Sequence, residues 1–284
     1  MKILLLGATG MAGHVIGLHL KSRGFNVDTL SRNSKIIQPT FTLDLFNLDE
    51  LKQIINSNDY EIVINCTGIL VKESSLHNDE AIYINSFLPK YLESFFLKTK
   101  TRIIHISSDG VFSGKNPPYK EDSTYDGESF YSKTKALGEI NNQKDLTIRT
   151  SIIGPDLLSS SDSFFSWFFK QHGVVHGFSN SFWNGTSTIQ LAKIIEESIK
   201  TNVSGILHVN SDKIISKYHL LKIFKDVFKK SDTKILETNG SSQNAMITNT
   251  RKDFTYKILD HSAMVEEISE WIKSHKDIYP HYEQ

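Results

Sequence analysis

Lys2-Ile3-Leu4-Leu5-Leu6-Gly7-Ala8-Thr9-Gly10-Met11-Ala12-Gly13 decides the fold. Ile3 to Leu6 is an uninterrupted apolar run, as expected of a strand buried on both faces. Three glycines follow at every third position, and Met11 to Arg23 then carries a helical pattern closed by Gly24. Strand, glycine turn and helix in that order aim the first helical N–H groups at an anion, usually a nucleotide diphosphate. The spacing Gly-x-x-Gly-x-x-Gly differs by one residue in the turn from Gly-x-Gly-x-x-Gly. The physical needs are similar: a tight turn, close approach of phosphate to the backbone, and close packing of helix on strand. Gly7, Thr9, Gly10 and Met11 are the candidate cofactor residues here.

Outward from this unit, strands and helices alternate. Phe25 to Ser31 predicts a strand, Leu48 to Asn58 a helix behind Asn47, and Glu61 to Cys66 a buried strand. Asp79 to Lys98 predicts a helix kinked or restarted at Pro89. Arg102 to Ser107, Ser129 to Glu139 and Leu146 to Ile153 predict strand, helix and strand. The alternation argues an α/β fold, a Rossmann-type doubly wound parallel sheet. After Gly154-Pro155 the pattern loosens. Leu157 to Ser163 reads as a loop, and Ser163 to Lys170 as a short aromatic helix serving core or subunit contact. Thr188 to Lys200, Lys217 to Lys229 and Ala263 to His275 read as helices. Gly205 to Val209 reads as a late strand returning to the sheet. The expected organisation is a nucleotide-binding domain over residues 1–154 and a smaller substrate-binding lobe over 155–284. A cleft between them is expected at the carboxyl ends of the strands.

Lysine plus arginine number 32, as do aspartate plus glutamate, so no basic field invites nucleic acid. The single cysteine, Cys66, excludes an intrachain disulfide framework and fits a reducing compartment. No apolar stretch is long enough to span a bilayer. Thr9, His14 and the glycines interrupt the first apolar run, which argues against a targeting segment. A soluble cytoplasmic protein without membrane partners is expected, with a homodimer left open. No His, Cys or carboxylate cluster has metal-ligand spacing.

The second strand ends in Ser31-Arg32, where an acidic residue would bond the ribose 2′-hydroxyl of NAD. A hydroxyl and a guanidinium suit a 2′-phosphate instead, so NADP(H) is expected over NAD(H). Asp44, beside Leu45, is a further candidate, its carboxylate accepting from the adenine amino group or serving as a cap.

Tyr131 and Lys135 lie four apart on a predicted helix and so share one face. A phenol titrates near pH 10, and a nearby ammonium is expected to lower that value. Ser108 follows the strand ending in Ser107, where a hydroxyl can hold a substrate oxygen beside the tyrosine. Ser107 is the alternative hydroxyl, expected to face away from its neighbour.

Together with Asn65-Cys66-Thr67-Gly68, Asn85, Ser107-Ser108-Asp109-Gly110-Val111-Phe112 and Arg149-Thr150-Ser151, these residues carry a resemblance. The chain resembles an extended short-chain dehydrogenase/reductase and, within that group, the dTDP-4-dehydrorhamnose reductase family. The resemblance covers residues 1–155 well and weakens beyond. It implies hydride delivery from NADPH to a ketone of a nucleotide sugar in surface-polysaccharide precursor synthesis. Tyr131 would donate the proton, Lys135 would tune Tyr131 and hold the nicotinamide ribose, and Ser108 would orient the carbonyl. Cys66, Thr67 and Gly68 would run under the cofactor, with Ser107 beside it. Gly110 departs from the tyrosine usual in that run, which bears on the substrate more than on the chemistry. A related dehydratase would carry a second carboxylate where Gly110 stands. An epimerase, needing only the Ser-Tyr-Lys set, and a non-catalytic NADP-binding regulatory subunit are the alternatives. In the second lobe, Gly177 to Ser187 mixes aromatics with small polar residues. Trp183, Asn184 and His176 are the candidate sugar contacts there.

Overall fold

The computed structural model describes residues 1–32, 36–240 and 244–282. Seven parallel strands form the central sheet: β1 (Lys2–Leu6), β2 (Asn26–Ser31), β3 (Phe41–Thr42), β4 (Ile62–Asn65), β5 (Arg102–Ile106), β6 (Leu146–Arg149) and β7 (Gly205–His208). Their spatial order is β7-β6-β5-β4-β1-β2-β3. The chain leaves β1 toward β2 and β3, then crosses back to place β4 on the other side of β1. The order therefore reverses between β1 and β4, where Leu6 pairs with Asn65. In open α/β sheets such a reversal opens a crevice for ligand.

Alternate residues of the inner strands explain their unbroken apolar runs. Ile3, Leu5, Ile64, Ile104 and Ile148 pack on one face, and Leu4, Leu6, Val63 and Ile103 on the other. Five helices matter for the site: α1 (Met11–Ser22), α2 (Phe130–Gly138), α3 (Thr188–Thr201), α4 (Lys217–Val227) and α5 (His261–Ser274). The first face is covered by α1 and α3, which pack against each other. The second is covered by the helices Leu48–Asn56 and Leu88–Phe95. Asn47 caps the first of these, its side chain accepting the Glu50 N–H. The late strand does return, with β7 beside β6 in parallel register.

Several elements differ from the sequence reading. The expected helix from Asp79 is divided into Asn78–Ala81, a π-helical stretch Ile82–Phe87, and Leu88–Phe95. Pro89 lacks the N–H that would bond the Asn85 carbonyl, and the wider turn lies just upstream. The strand expected to Ile153 stops at Arg149; Ile152–Ile153 pairs separately with Thr186–Ser187. Gly173–Phe178 and Thr233–Thr238 form a parallel ribbon that was not expected. The aromatic helix Phe164–Phe169 is core: Phe165 and Phe168 are fully buried, with Phe224 of α4 against both. Among the described residues, no helix is long and apolar enough to cross a membrane.

Candidate active site

The glycine loop sits at the reversal point. Gly7 adopts φ +78°, a left-handed conformation that side chains disfavour, and its N–H donates to the Leu30 carbonyl at 3.0 Å. A Cβ at Gly13 would lie 2.1 Å from the Gly7 carbonyl oxygen, so α1 closes directly onto the loop. A Cβ at Gly10 would meet only that same oxygen, at 3.4 Å. Gly10 thus opens to the crevice, and a ligand can approach its main chain. Met11 begins α1, whose first N–H groups have no intrahelical acceptor. This cradle fits a diphosphate.

The other cofactor candidates divide. The Cys66 main chain packs against Gly7, while burial pushes its thiol up to about 12, so it is no nucleophile. Thr67 donates its N–H and its hydroxyl to Asn65 Oδ1, at 3.1 and 2.6 Å. A Cβ on Gly68 would come within 4.0 Å of Lys135 Nζ. Cys66 to Gly68 therefore bridges the glycine loop and the helix carrying Tyr131. Ser31 is buried at the end of β2 and Arg32 is exposed beside it. Asp44 is exposed and accepts the Phe46 N–H at 3.2 Å, a local cap. The Leu45 side chain is buried in the core, and its carbonyl accepts from Tyr83.

Ser129 caps α2, its side chain accepting the Ser132 N–H, and sets the helix start so that Tyr131 and Lys135 share a face. Lys135 is buried, and its ammonium donates to the Ile106 carbonyl at 2.9 Å. Burial lowers its pKa to about 8, against the opposing pull of the Glu139 carboxylate. Burial likewise pushes the Tyr131 phenol above its ordinary value; a hydrogen bond with Ser108 works the other way, and the Asp109 charge adds to the rise. The expected lowering by Lys135 is therefore corrected: the ammonium is turned to a carbonyl, and burial dominates. The phenol stays protonated at neutral pH, as a proton donor requires.

Ser108 lies just beyond β5 and accepts the Gly110 N–H at 2.9 Å. Its hydroxyl donates to Asp109 Oδ1 at 3.2 Å. Burial raises the Asp109 carboxyl to about 6, opposed by that hydrogen bond, by the Gly110 N–H, and by the Lys217 ammonium. A Cβ at Gly110 would come within 3.1 Å of both Ser108 Oγ and Tyr131 Cε1. Its absence leaves the Ser108–Tyr131 pair open to the cleft.

Ser107 is directed elsewhere. Its hydroxyl donates to Glu139 Oε1 at 2.6 Å, leaving only its main chain for a cofactor. Glu139 is buried and accepts from Arg149 Nη2 at 2.8 Å. The Arg149 guanidinium carbon lies 5.1 Å from the Phe112 ring centroid and 4.8 Å from that of Tyr125. This clamp ties the end of α2 to β6 and to the residue before Ser108.

A cleft of about 500 Å³ contains Ser108, Asp109, Tyr131, Trp183, Asn184 and Lys217 in its wall. Trp183 is buried and donates its indole N–H to Ser151 Oγ at 3.0 Å. Asn184 donates its amide to the Ile247 carbonyl at 2.7 Å. His176 is not brought to the cleft. It lies at an outward position of the ribbon Gly173–Phe178, whose buried residues are Val175 and Gly177. Asp109 and Lys217 stand in the wall but were not among the candidate site residues. Asp109 stood within the quoted run beside Ser108, whereas Lys217 carried no sequence signal because a long chain separation had to be folded first. A wider groove of about 750 Å³ at the amino ends of the strands, by Met1, Ile62 and Arg102, holds none of these groups. Among the described residues, no group of three or more His, Cys, Asp or Glu could hold a metal ion.

The family described as RmlD substrate binding domain matches residues 1–276. The spore coat polysaccharide biosynthesis protein SpsK of Bacillus subtilis is 25% identical, over 93% of this chain and 91% of that protein. The methionine adenosyltransferase 2 subunit beta of Xenopus tropicalis is 23% identical, over 80% of this chain and 72% of its own. Among solved structures, dTDP-4-dehydrorhamnose reductase from Bacillus anthracis in complex with NADP superposes with a TM-score of 0.81 at 18% identity, covering 95% of this chain and 99% of the other.

Proposed function

The chain belongs to the RmlD substrate binding domain family, and from that premise we propose that it reduces a 4-keto-6-deoxy sugar nucleotide with NADPH. The observation that carries the reading is the meeting of Ser108, Tyr131 and Lys135 beside the glycine loop, with the first two open to one cleft. Gly7, Thr9, Gly10, Met11 and the Cys66–Gly68 main chain would hold the dinucleotide, with Lys135 at its nicotinamide ribose. Ser31 and Arg32 would meet a 2′-phosphate, and the NADP bound to the Bacillus anthracis relative supports that choice. When bound, NADPH supplies a hydride to the ketone carbon. Ser108 holds the carbonyl oxygen, and Tyr131 gives that oxygen its proton as the C–O double bond becomes single. The raised phenol pKa keeps this proton on Tyr131 until the alkoxide forms. Trp183, in the wall of the cleft, would contact the sugar or base, with Asn184 beside it. Reduction by the purified protein of one of a panel of dTDP-, UDP- and GDP-linked 4-keto sugars, followed by nicotinamide absorbance, tests the reading. No loss of NADPH with any of them refutes it.

A second reading follows from the methionine adenosyltransferase subunit among the relatives: a dinucleotide-binding regulatory subunit. The complete Ser108, Tyr131 and Lys135 set favours the enzyme. Stoichiometric co-purification with an enzyme partner, without ketone reduction, would favour the subunit.

A further inference from the structure

Three side chains from two distant parts of the sequence form one hydrogen-bonded line that ends on the glycine loop. Trp271 Nε1 lies 3.0 Å from Tyr279 Oη. Tyr279 Oη lies 2.6 Å from His14 Nε2, and His14 Nδ1 lies 2.8 Å from the Gly10 carbonyl oxygen. The direction of the line follows from chemistry. An indole N–H only donates, so the Tyr279 oxygen accepts it and the phenol proton passes to His14 Nε2. A carbonyl only accepts, so His14 carries its ring hydrogen on Nδ1. The neutral imidazole is thereby held in one tautomer. His14 and Tyr279 are both buried, and burial lowers the imidazole pKa to about 4.

The Gly10 carbonyl lies in the same rigid peptide plane as the Met11 N–H. It already accepts the His14 main-chain N–H at 3.1 Å. The second bond, from the imidazole, holds the plane from another direction. On its other side that plane presents an N–H of the first turn of α1, free to meet an anion. The segment carrying Tyr279 is itself tied to the chain just after Pro155, since Tyr282 Oη accepts the Asp156 N–H at 3.0 Å.

We propose that Tyr279 is a positioning residue for the cofactor diphosphate, acting through His14 to fix the Gly10–Met11 peptide. This rests on the dinucleotide reading above and adds that the C-terminal segment governs cofactor affinity. The test compares the parent with Tyr279→Phe, His14→Leu and His14→Asn. Each is titrated with NADPH and NADH, and the His14 ring nitrogens are observed by NMR without cofactor. Asparagine keeps a donor where Nδ1 stood and needs no partner at Nε2. Tyr279→Phe and His14→Leu should weaken NADPH binding about tenfold, as expected for one lost positioning bond. His14→Asn should stay within about threefold of the parent. The loss should fall on KM for the dinucleotide rather than on kcat. The parent should show hydrogen on Nδ1, and Tyr279→Phe a mixture of tautomers. Parent-like affinity in Tyr279→Phe, or His14→Asn as weak as His14→Leu, overturns the proposal. A parent binding neither dinucleotide overturns the cofactor reading instead, while a parent lacking the Nδ1–H form overturns the line itself. Tyr279→Phe preserves the ring and decides the matter if His14→Leu does not fold.

Discussion

Tyr131 and Lys135 reach their site by different routes. Their four-residue spacing was legible because it is a local property of a helix. The partner of Lys135, the Ile106 carbonyl, was not legible, because it belongs to a strand 29 residues away. Ser107 and Ser108 show the same division. Strand alternation turns neighbouring side chains apart, and Glu139, which captures Ser107, lies on another element. The chemistry assigned to Tyr131 has a direct consequence. Tyr131→Phe should lower kcat by about 10²–10⁴-fold, the range for loss of a general acid, while NADPH binding measured by fluorescence titration stays near that of the parent. Unchanged turnover would remove Tyr131 from the role. Asp109 has a consequence of its own. Its carboxyl ionises near pH 6, so Asp109→Asn should flatten any change in sugar-nucleotide KM between about pH 5 and 7; a profile identical to the parent's would show that this carboxylate does not face the substrate.

At the scale of elements, two buried carboxylates, Glu139 and Glu196, join helices to their neighbours. Glu139 and Arg149 lock α2 against β6. Removing one partner leaves a buried charge uncompensated, so Arg149→Met should destabilise by about 3–5 kcal/mol. Denaturant unfolding measures this, and a loss below about 1 kcal/mol would contradict the clamp. Glu196 of α3 receives His19 and Arg23 of the α1 end and Lys200 of its own helix. Burial alone would raise its carboxyl, but those partners prevail and hold it at about 2. An unfolded glutamate titrates near 4.3. The folded value is depressed, so this stabilisation is full above about pH 4.3 and is lost as pH falls through about 2. Glu196→Gln should therefore melt below the parent at neutral pH, with the gap closing toward pH 2; a constant gap would contradict the linkage. Of these partners only Lys200, four residues from Glu196 on one helix, follows from local spacing; Arg149, His19 and Arg23 lie on other elements. The helices themselves were legible, through apolar periodicity and a cap such as Asn47. The ribbon of Gly173–Phe178 with Thr233–Thr238 escaped notice because its two strands are distant in the chain and several of their residues face outward.

At the scale of the molecule, the parallel sheet was legible because β1, β4 and β5 are apolar on both faces. The returning strand β7 was also legible as a short apolar run. The cleft was harder to read. Ser108 and Tyr131 come from the sheet side, Trp183 and Lys217 from beyond residue 155, and only folding brings the two sets together. Trp183 stood out as an aromatic among small polar residues, and it lies in the wall. His176, from the same neighbourhood, does not, because the outward alternation of its strand was not visible. Net hydride transfer to a nucleotide sugar is read out by supplying NADPH that carries deuterium at the transferable position. A product sugar labelled once, at the former carbonyl carbon, is expected, with one NADP⁺ formed per product and labelling slowed about 10²–10⁴-fold in Tyr131→Phe. Binding of the labelled NADPH without its oxidation by any 4-keto sugar nucleotide would contradict hydride transfer.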